Sequence, residues 1–360
     1  MTLTFLIAVG ALIGAFDCMI GNKLRLGEKF EEGFLCMGAT ALNMAGIICI
    51  APVIGILLKP LLVPLYRFLG ADPAMFGSLF ANNMGGYPLA MELAADPQIG
   101  LFSGLIVSSM LGATIVYTIP VGLGLIPQQK RSMFAKGIMI GIIPIPIGAF
   151  VGGMMMKIPV ILLLKNSIPT ILFAAFLVIG FSFFQEKLLR GFMAFAQGIK
   201  LVTIFGLGVS AFTYITGMVL IPGMGDLRGA METIADMSII QLGSLPLATI
   251  FIKVFNKPLT AIGRRLSINS VSVGSLPVAC VNVISVFMMV KEMDAKGLVV
   301  SMAWCTSAIC VLTAHLAYTN ATNPELLVPM MTAKLVSGFL AILLALWMMR
   351  KQTDQAETGY

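Results

Sequence analysis

The sequence predicts an all-α polytopic membrane protein, and three observations carry that expectation. Of its 360 residues 58% are hydrophobic and 11% charged, and the mean hydropathy is +0.98. A soluble domain has about 25% charged and 45–50% apolar residues, so 23 Lys and Arg with 16 Asp and Glu cannot clothe an aqueous surface. The apolar residues also fall in runs close to the roughly 20 residues that span a bilayer. Finally, the net charge of +7 is what basic cytoplasmic loops produce, which removes the need for a nucleic-acid partner. A soluble globular protein and a disordered chain are excluded on the same grounds.

The spans follow in order. Residues 2–20 lack a basic leader and an Ala-x-Ala cleavage site, so they read as a first span and not as a signal peptide. Continuous apolar runs then occupy 35–58, 100–126, 137–156, 168–184, 192–221, 237–254, 298–317 and 326–349, nine in all. Two further stretches are apolar but interrupted. Residues 71–95 contain Asn82-Asn83-Met84-Gly85-Gly86-Tyr87-Pro88, and 268–290 contain Gly274, Pro277 and Asn282. Pro and paired Gly break helices, and freed backbone survives at membrane depth only inside protein or beside a water-filled cavity.

Loop charges choose between crossing and re-entry. With the N-terminus outside and both interrupted segments re-entrant, 15 basic residues fall inside, and Lys59, Arg67, Lys157, Lys165 and Arg228 make 5 outside. If both segments cross, the division is 10 against 10. The positive-inside bias favours re-entry, a multi-pass protein with an external N-terminus and a cytoplasmic C-terminus.

The chain also repeats itself at an offset of 198. Lys59-Pro60-Leu61 falls on Lys257-Pro258-Leu259, Arg67 on Arg265, Met91 on Met289, Asp96 on Asp294 and Ser103 on Ser301. With one residue of slippage, Gly77-Ser78-Leu79 matches Gly274-Ser275-Leu276. Five crossings between equivalent points invert the second copy, and inverted repeats with broken helices are a transporter plan. The expected organisation is a first repeat over 1–164, a linking helix over 165–190, a second, inverted repeat over 191–350 and a cytoplasmic tail over 351–360.

Polar residues in such a chain are expensive unless they pair or serve a ligand. Asn82, Asn83 and Tyr87 in the first interrupted segment supply donors and acceptors for a small polar solute, and Asn269 and Asn282 in the second have the same potential. Asn43 either lines the path or bonds across helices, and His315 is either a proton carrier or a hydrogen-bonded packing residue. Asp17 has Lys23 as a possible partner, while Lys334 needs a partner or a route to water. Tyr87, Trp304 and Tyr318 offer a cation–π wall or interfacial anchors. The six cysteines form no Cys-x-x-Cys pair and read as small hydrophobes. No phosphate loop, no paired acidic motif within a span and no Ser/His/Asp arrangement at His315 occurs, so neither an enzyme nor a cofactor is expected.

These residues bring a family into view. GEKFEEGFLCMGATALNMAGI (27–47), LGADPAMFGSLFANNMGGYPLAMELA (69–94), SGLIVSSMLGATIVYTIPVGLG (103–124), MVKEMDAKG (289–297) and HLAYTNATNPELLVPMMTAKLVSG (315–338) resemble the ethanolamine-utilisation permeases, the EutH proteins, in order and spacing. The resemblance implies import of ethanolamine, as its ammonium form, for ethanolamine catabolism. Three departures stand out. The family's Asp-Met-Gly-Gly is Asn83-Met84-Gly85-Gly86 here, its Gly-Asp-His-Leu-Gly-Phe is Thr313-Ala314-His315-Leu316-Ala317-Tyr318, and its Asn-Asn-Ile-Pro is Asn282-Val283-Ile284-Ser285. Two carboxylates suited to a buried ammonium are thus missing. An ion pair at about 4 Å is worth roughly 4 kcal/mol at an effective dielectric near 20. Either the cation is held by carbonyl dipoles and aromatic rings, or the solute is a different small neutral or zwitterionic molecule. A membrane scaffold without flux has no use for two broken helices. Expected partners are a small-molecule substrate and membrane lipid, with a homo-oligomer left open.

Overall fold

A computed structural model describes the backbone of residues 3–266 and 268–357, with side chains at 255–266 and 351–357 excepted. Lys257-Pro258-Leu259, Arg264, Arg265 and the tail 351–360 therefore lie outside the residues described at side-chain level. Among the described residues every regular element is helical. The elements used below are α1 (Leu3–Met19), α2 (Gly27–Leu35), α3 (Met37–Phe68), α4 (Tyr87–Leu93), α5 (Pro97–Leu101), α6 (Leu111–Ala113) and α7 (Ile119–Leu125). They continue as α8 (Arg131–Ile142), α9 (Ile145–Met155), α10 (Val160–Phe183), α11 (Gln185–Thr216) and α12 (Leu227–Leu266). The last are α13 (Ser270–Ala279), α14 (Val283–Met289), α15 (Ala295–Ala308), α16 (Ala314–Thr322) and α17 (Leu327–Glu357).

Six stretches, Gly27–Phe68, Gln128–Met155, Val160–Phe183, Gln185–Thr216, Leu227–Val254 and Pro324–Arg350, are long and apolar enough to cross a membrane. A bent pair, Pro97–Val107 with Leu111–Leu125, makes a seventh. The outer faces carry exposed Ile161, Phe176, Phe205 and Ile215, side chains suited to lipid and not to water, and the protein is a multi-pass membrane protein. With lipid outside, helices associate by close packing at small residues. Gly10 of α1 meets the backbone of Gly243 in α12, Gly46 of α3 meets Thr203 and Gly206 of α11, and Gly148 of α9 meets Ala333 of α17. A β-carbon at any of these positions would overlap a neighbouring backbone.

Both interrupted segments are hairpins whose ends meet. In the first, a tight 3-10 stretch Pro73–Leu79 leads through extended Phe80 and Ala81 into a kinked turn Asn82–Gly86 and then α4. The kink needs Gly85, at φ +99°, a value that glycine alone adopts freely. Asp72 caps the entering turn through Ala74 and accepts the amides of Ala95 and Asp96, at 2.8 Å for Asp96. In the second, Asn269 caps α13 through Ser272, its amide reaches Asp294 at 3.1 Å, and its Nδ2 reaches the Glu292 carbonyl at 2.7 Å. Asp96 and Asp294 each cap the helix that follows. Ser103 donates to the Ala74 carbonyl and Ser301 to the Ser272 carbonyl, the same bond at an offset of 198.

Two runs expected as continuous spans, 100–126 and 298–317, are instead broken. The first bends by 43° at Ser108-Ser109-Met110, and the second unwinds over 309–313 between α15 and α16. Tertiary hydrogen bonds replace helical ones in the second case. Cys310 N reaches Ala279 O at 3.0 Å, Leu312 N reaches Cys280 O at 2.9 Å, and Thr313 Oγ1 reaches Val281 O at 2.7 Å. In the first, Gly112 lies so close to Phe80 and Ala81 that a side chain would strike the Phe80 carbonyl. Each hairpin tip therefore rests on the break of the span that follows it. These two spans form the middle of the bundle, and α15 is buried throughout Gly297–Ala308.

Candidate functional site

The two breaks also touch one another. Thr114, just past the first break, donates to the Thr306 carbonyl near the end of α15 at 2.9 Å. Ser307 of α15 and Ser337 of α17 share a 2.7 Å bond. Around this crossing the backbone has carbonyls that no helix uses. Ala113 N bonds Ser108 O and Thr114 N bonds Met110 O, and the Ser109 carbonyl between them is taken by the Lys334 ammonium at 2.5 Å. Lys334 is fully buried. Its other partner is His315 Nδ1 at 2.9 Å, and among the described residues no carboxylate lies at ion-pair distance from it.

Asn82 is the second unusual group. Its side chain is 0% exposed, and neither its oxygen nor its nitrogen has a hydrogen-bonding partner. The hydroxyl of Thr319 on α16 is also buried and unpartnered. Tyr87, at the start of α4, meets Tyr318 of α16 edge to face, with ring centroids 6.1 Å apart. Residues three and four apart share a helix face, so His315, Tyr318 and Thr319 look toward the same side, and the first hairpin tip packs against that helix. The structure thus gathers Asn82, Tyr87, Tyr318, Thr319, His315 and Lys334 about the crossing of two broken spans.

The remaining candidates are placed as follows. Asn83 is half-buried beside Asn82. Asn282 is exposed at the second hairpin tip and caps α14 through Ile284 N at 2.9 Å. Asn269 holds the far end of that hairpin, a full α13 length away from the tip. Asn43 is exposed on α3 and bonds its own helix at Ala39 O. Asp17 does not pair with Lys23; its carboxylate accepts the amides of Leu24, Leu26 and Gly27 and so ties α1 to α2. Trp304 stands apart from the tyrosines, donating to Leu276 O and packing edge-on against Phe339. Lys334, which the sequence shows only as needing a partner or a route to water, joins this group because its carbonyl partner exists only where the span breaks.

A cavity of about 330 Å³ opens behind the first hairpin, between α3 and α11. Its lining, including Ile47, Ile54, Phe80, Leu89 and Phe195, is apolar, and a polar solute gains nothing there. Neither Asn82 nor the tyrosine pair lines it.

Residues 1–348 match the family model described as "Ethanolamine utilisation protein, EutH". The chain is 40% identical over 360 residues to the "Probable ethanolamine permease EutH" of Listeria monocytogenes, covering 99% of this chain and 96% of that one. It is 36% identical to the Escherichia coli protein of the same description, over 92% of this chain and 87% of that one. The "Uncharacterized protein YxeR" of Bacillus subtilis is also 36% identical, over 98% and 96%. No solved structure matches.

Proposed function

Because the chain belongs to the EutH family of ethanolamine utilisation proteins, we propose that it is a permease of the bacterial inner membrane that imports ethanolamine. The observation that carries this reading is Asn82. A carboxamide buried without partners costs about 1–3 kcal/mol, and a solute with one amine and one hydroxyl repays it. Asn82 Oδ1 accepts from the substrate ammonium, Asn82 Nδ2 donates to its hydroxyl, and the rings of Tyr87 and Tyr318 face the cation. Asn83, Asn282 and His315 complete the polar surroundings. Asn43 and Asn269 act from outside this group.

The transport cycle proposed here is a rocking of two inverted repeats about the crossing, with nine spans, two re-entrant hairpins, an external N-terminus and a cytoplasmic C-terminus. The meeting ends of 72–96 and 269–294, and the serine bonds repeated at an offset of 198, support the repeat. The family's aspartate is absent at Asn83, so carbonyl dipoles and aromatic rings take its place. Calorimetric titration of the purified protein with ethanolamine and with ethylene glycol tests the reading. Ethanolamine is expected to bind, and Asn83→Asp to bind it more tightly by about 1–3 kcal/mol after desolvation of the new carboxylate. Binding of the glycol alone would point to a neutral solute.

A further inference from the structure

Lys334, on α17, makes no contact with the substrate in the recognition just described, yet it bonds His315, one helical turn of α16 from Tyr318. Resting on the permease reading, we propose that Lys334 is the coupling residue of this transporter: its ammonium and a bound substrate ammonium repel one another, so binding of the substrate cation favours loss of a proton from the Lys334–His315 pair.

The geometry carries the argument. Lys334 Nζ touches the Ser109 carbonyl and His315 Nδ1, a cation position made of two neutral acceptors when the imidazole holds its proton on Nε2. Nothing there is fixed as an anion. The titratable groups facing the pair are the thiols of Cys280 at the end of α13 and Cys310 in the 309–313 break, with Cys305 of α15 beside those thiols, and the Tyr318 phenol on α16. The carboxylates of Glu232 and Asp236 on α12 and of Glu325 in the 324–326 turn, elements packed on α16 or α17, are exposed, and none lies at ion-pair distance from Lys334. From α9 and the Phe102–Val107 turn, both packed on α17, the sequence offers no ionisable side chain. On α8, Gly137 lies opposite Val299 and Met302, which puts Lys136 and Arg131 toward the far end of α15. The cluster therefore accommodates one positive charge without a counter-ion, and a second one nearby is repelled.

The separation is short enough for that repulsion to matter. Lys334 contacts His315, His315 shares a face with Tyr318, and the Tyr318 and Tyr87 rings are 6.1 Å apart, so a cation at the rings is a near neighbour of Nζ. A separation of about 10 Å sets the scale of the repulsion. Two unit charges at that distance, with an effective dielectric near 20, change each other's occupancy by roughly tenfold. In the step itself, the substrate enters as its ammonium and one Nζ–H bond of Lys334 breaks. The proton leaves to water, and the electron pair stays on Nζ as a neutral amine that still donates to Ser109 O. In a molecule that releases its proton the net charge of the site is unchanged, and the tenfold coupling sets how often that happens.

Calorimetric titration of the purified wild-type protein with ethanolamine, in phosphate and in Tris, reads proton release from the difference in buffer ionisation heat. The expected result is fractional proton release, at most about half a proton per cation bound, with Kd falling by about tenfold in total as the pH is raised through the titration of the pair. Lys334→Gln is expected to bind without release and without pH dependence. Lys334→Arg, whose charge cannot leave, is expected to bind about tenfold more weakly than Lys334→Gln at every pH and to release no proton. Equal heats in the two buffers for the wild type overturn the inference while leaving the permease standing, and so does release that persists in Lys334→Gln. If Lys334→Gln does not fold, Lys334→Met replaces it, and the wild-type heats decide on their own. Absence of any wild-type binding overturns the permease reading and this inference with it.

Discussion

Replacing Asn82 by leucine separates a binding residue from a structural one. A structural asparagine in a membrane helix bonds to its neighbours, and removing it leaves their polar groups unsatisfied at about 1–3 kcal/mol each. Asn82 has no such bonds and is 0% exposed. Leucine, close to it in volume, removes a desolvated carboxamide and orphans nothing. The expected change in stability is therefore zero to a gain of about 1–3 kcal/mol. Ligand response moves the other way. Wild-type protein at ethanolamine 100 times its Kd is stabilised by about 2.7 kcal/mol through mass action, and Asn82→Leu is expected to lose that stabilisation. Thermal melts of both proteins, with and without ethanolamine, give all four numbers. A variant that melts well below the wild type in the absence of ligand refutes the reasoning, since Asn82 would then be holding the fold.

The other predictions use different parts of the fold. Gly112→Ala places a β-carbon against the Phe80 carbonyl, a backbone atom with little room to yield; a loss of about 1–3 kcal/mol and of ethanolamine uptake is expected. Gly208→Ala, with no neighbour within 4 Å, serves as the neutral control in the same melts and uptake assays. For topology, cysteines placed singly at positions 67 and 96 in a cysteine-free background are expected to be labelled from outside intact cells, and one at 296 to be protected. Labelling of 67 without 96 would mean that the first hairpin crosses the membrane.

Much of this architecture was legible because its signals are local. Composition announces the membrane, and Pro and paired Gly mark the first hairpin. The repeated acidic turns at Asp96 and Asp294 mark where the hairpins end, which the capping bonds of both residues explain. The breaks at Ser108-Ser109-Met110 and 309–313 carry no such mark. Neither contains proline or glycine, and Cys310 adopts φ +50° because hairpin carbonyls far away in sequence offer its neighbours better partners than their own helix. Hydropathy averages over such a stretch and reports a continuous span. The site suffers from the same blindness. Asn82 and Tyr87 are legible as polar groups in an apolar run, whereas the pairing of Lys334 with Ser109 O depends on a carbonyl that only the unpredicted break sets free. Asn43 and Asn269 show what the sequence also leaves unread: a polar residue can satisfy itself locally, as Asn43 does with Ala39 O and Asn269 does with Ser272 and Glu292.

The two hairpin tips are held in different ways, and that difference supports the first tip as the proposed substrate site. At the second tip the carbonyls of Ala279, Cys280 and Val281 are all engaged by the 309–313 strand, and Asn282 spends its oxygen capping α14. Little polar capacity is left there. At the first tip, Gly112 approaches Phe80 and Ala81 by packing, and Asn82 keeps every donor and acceptor of its carboxamide unused. Hydrogen bonds stabilise binding most where the alternative is an unsatisfied buried group, so a polar solute gains more at the first tip than at the second. Asn282→Leu removes a helix cap worth about 1 kcal/mol and so blurs stability with binding. Asn82→Leu does not, which makes the first hairpin the place where recognition and folding can be told apart.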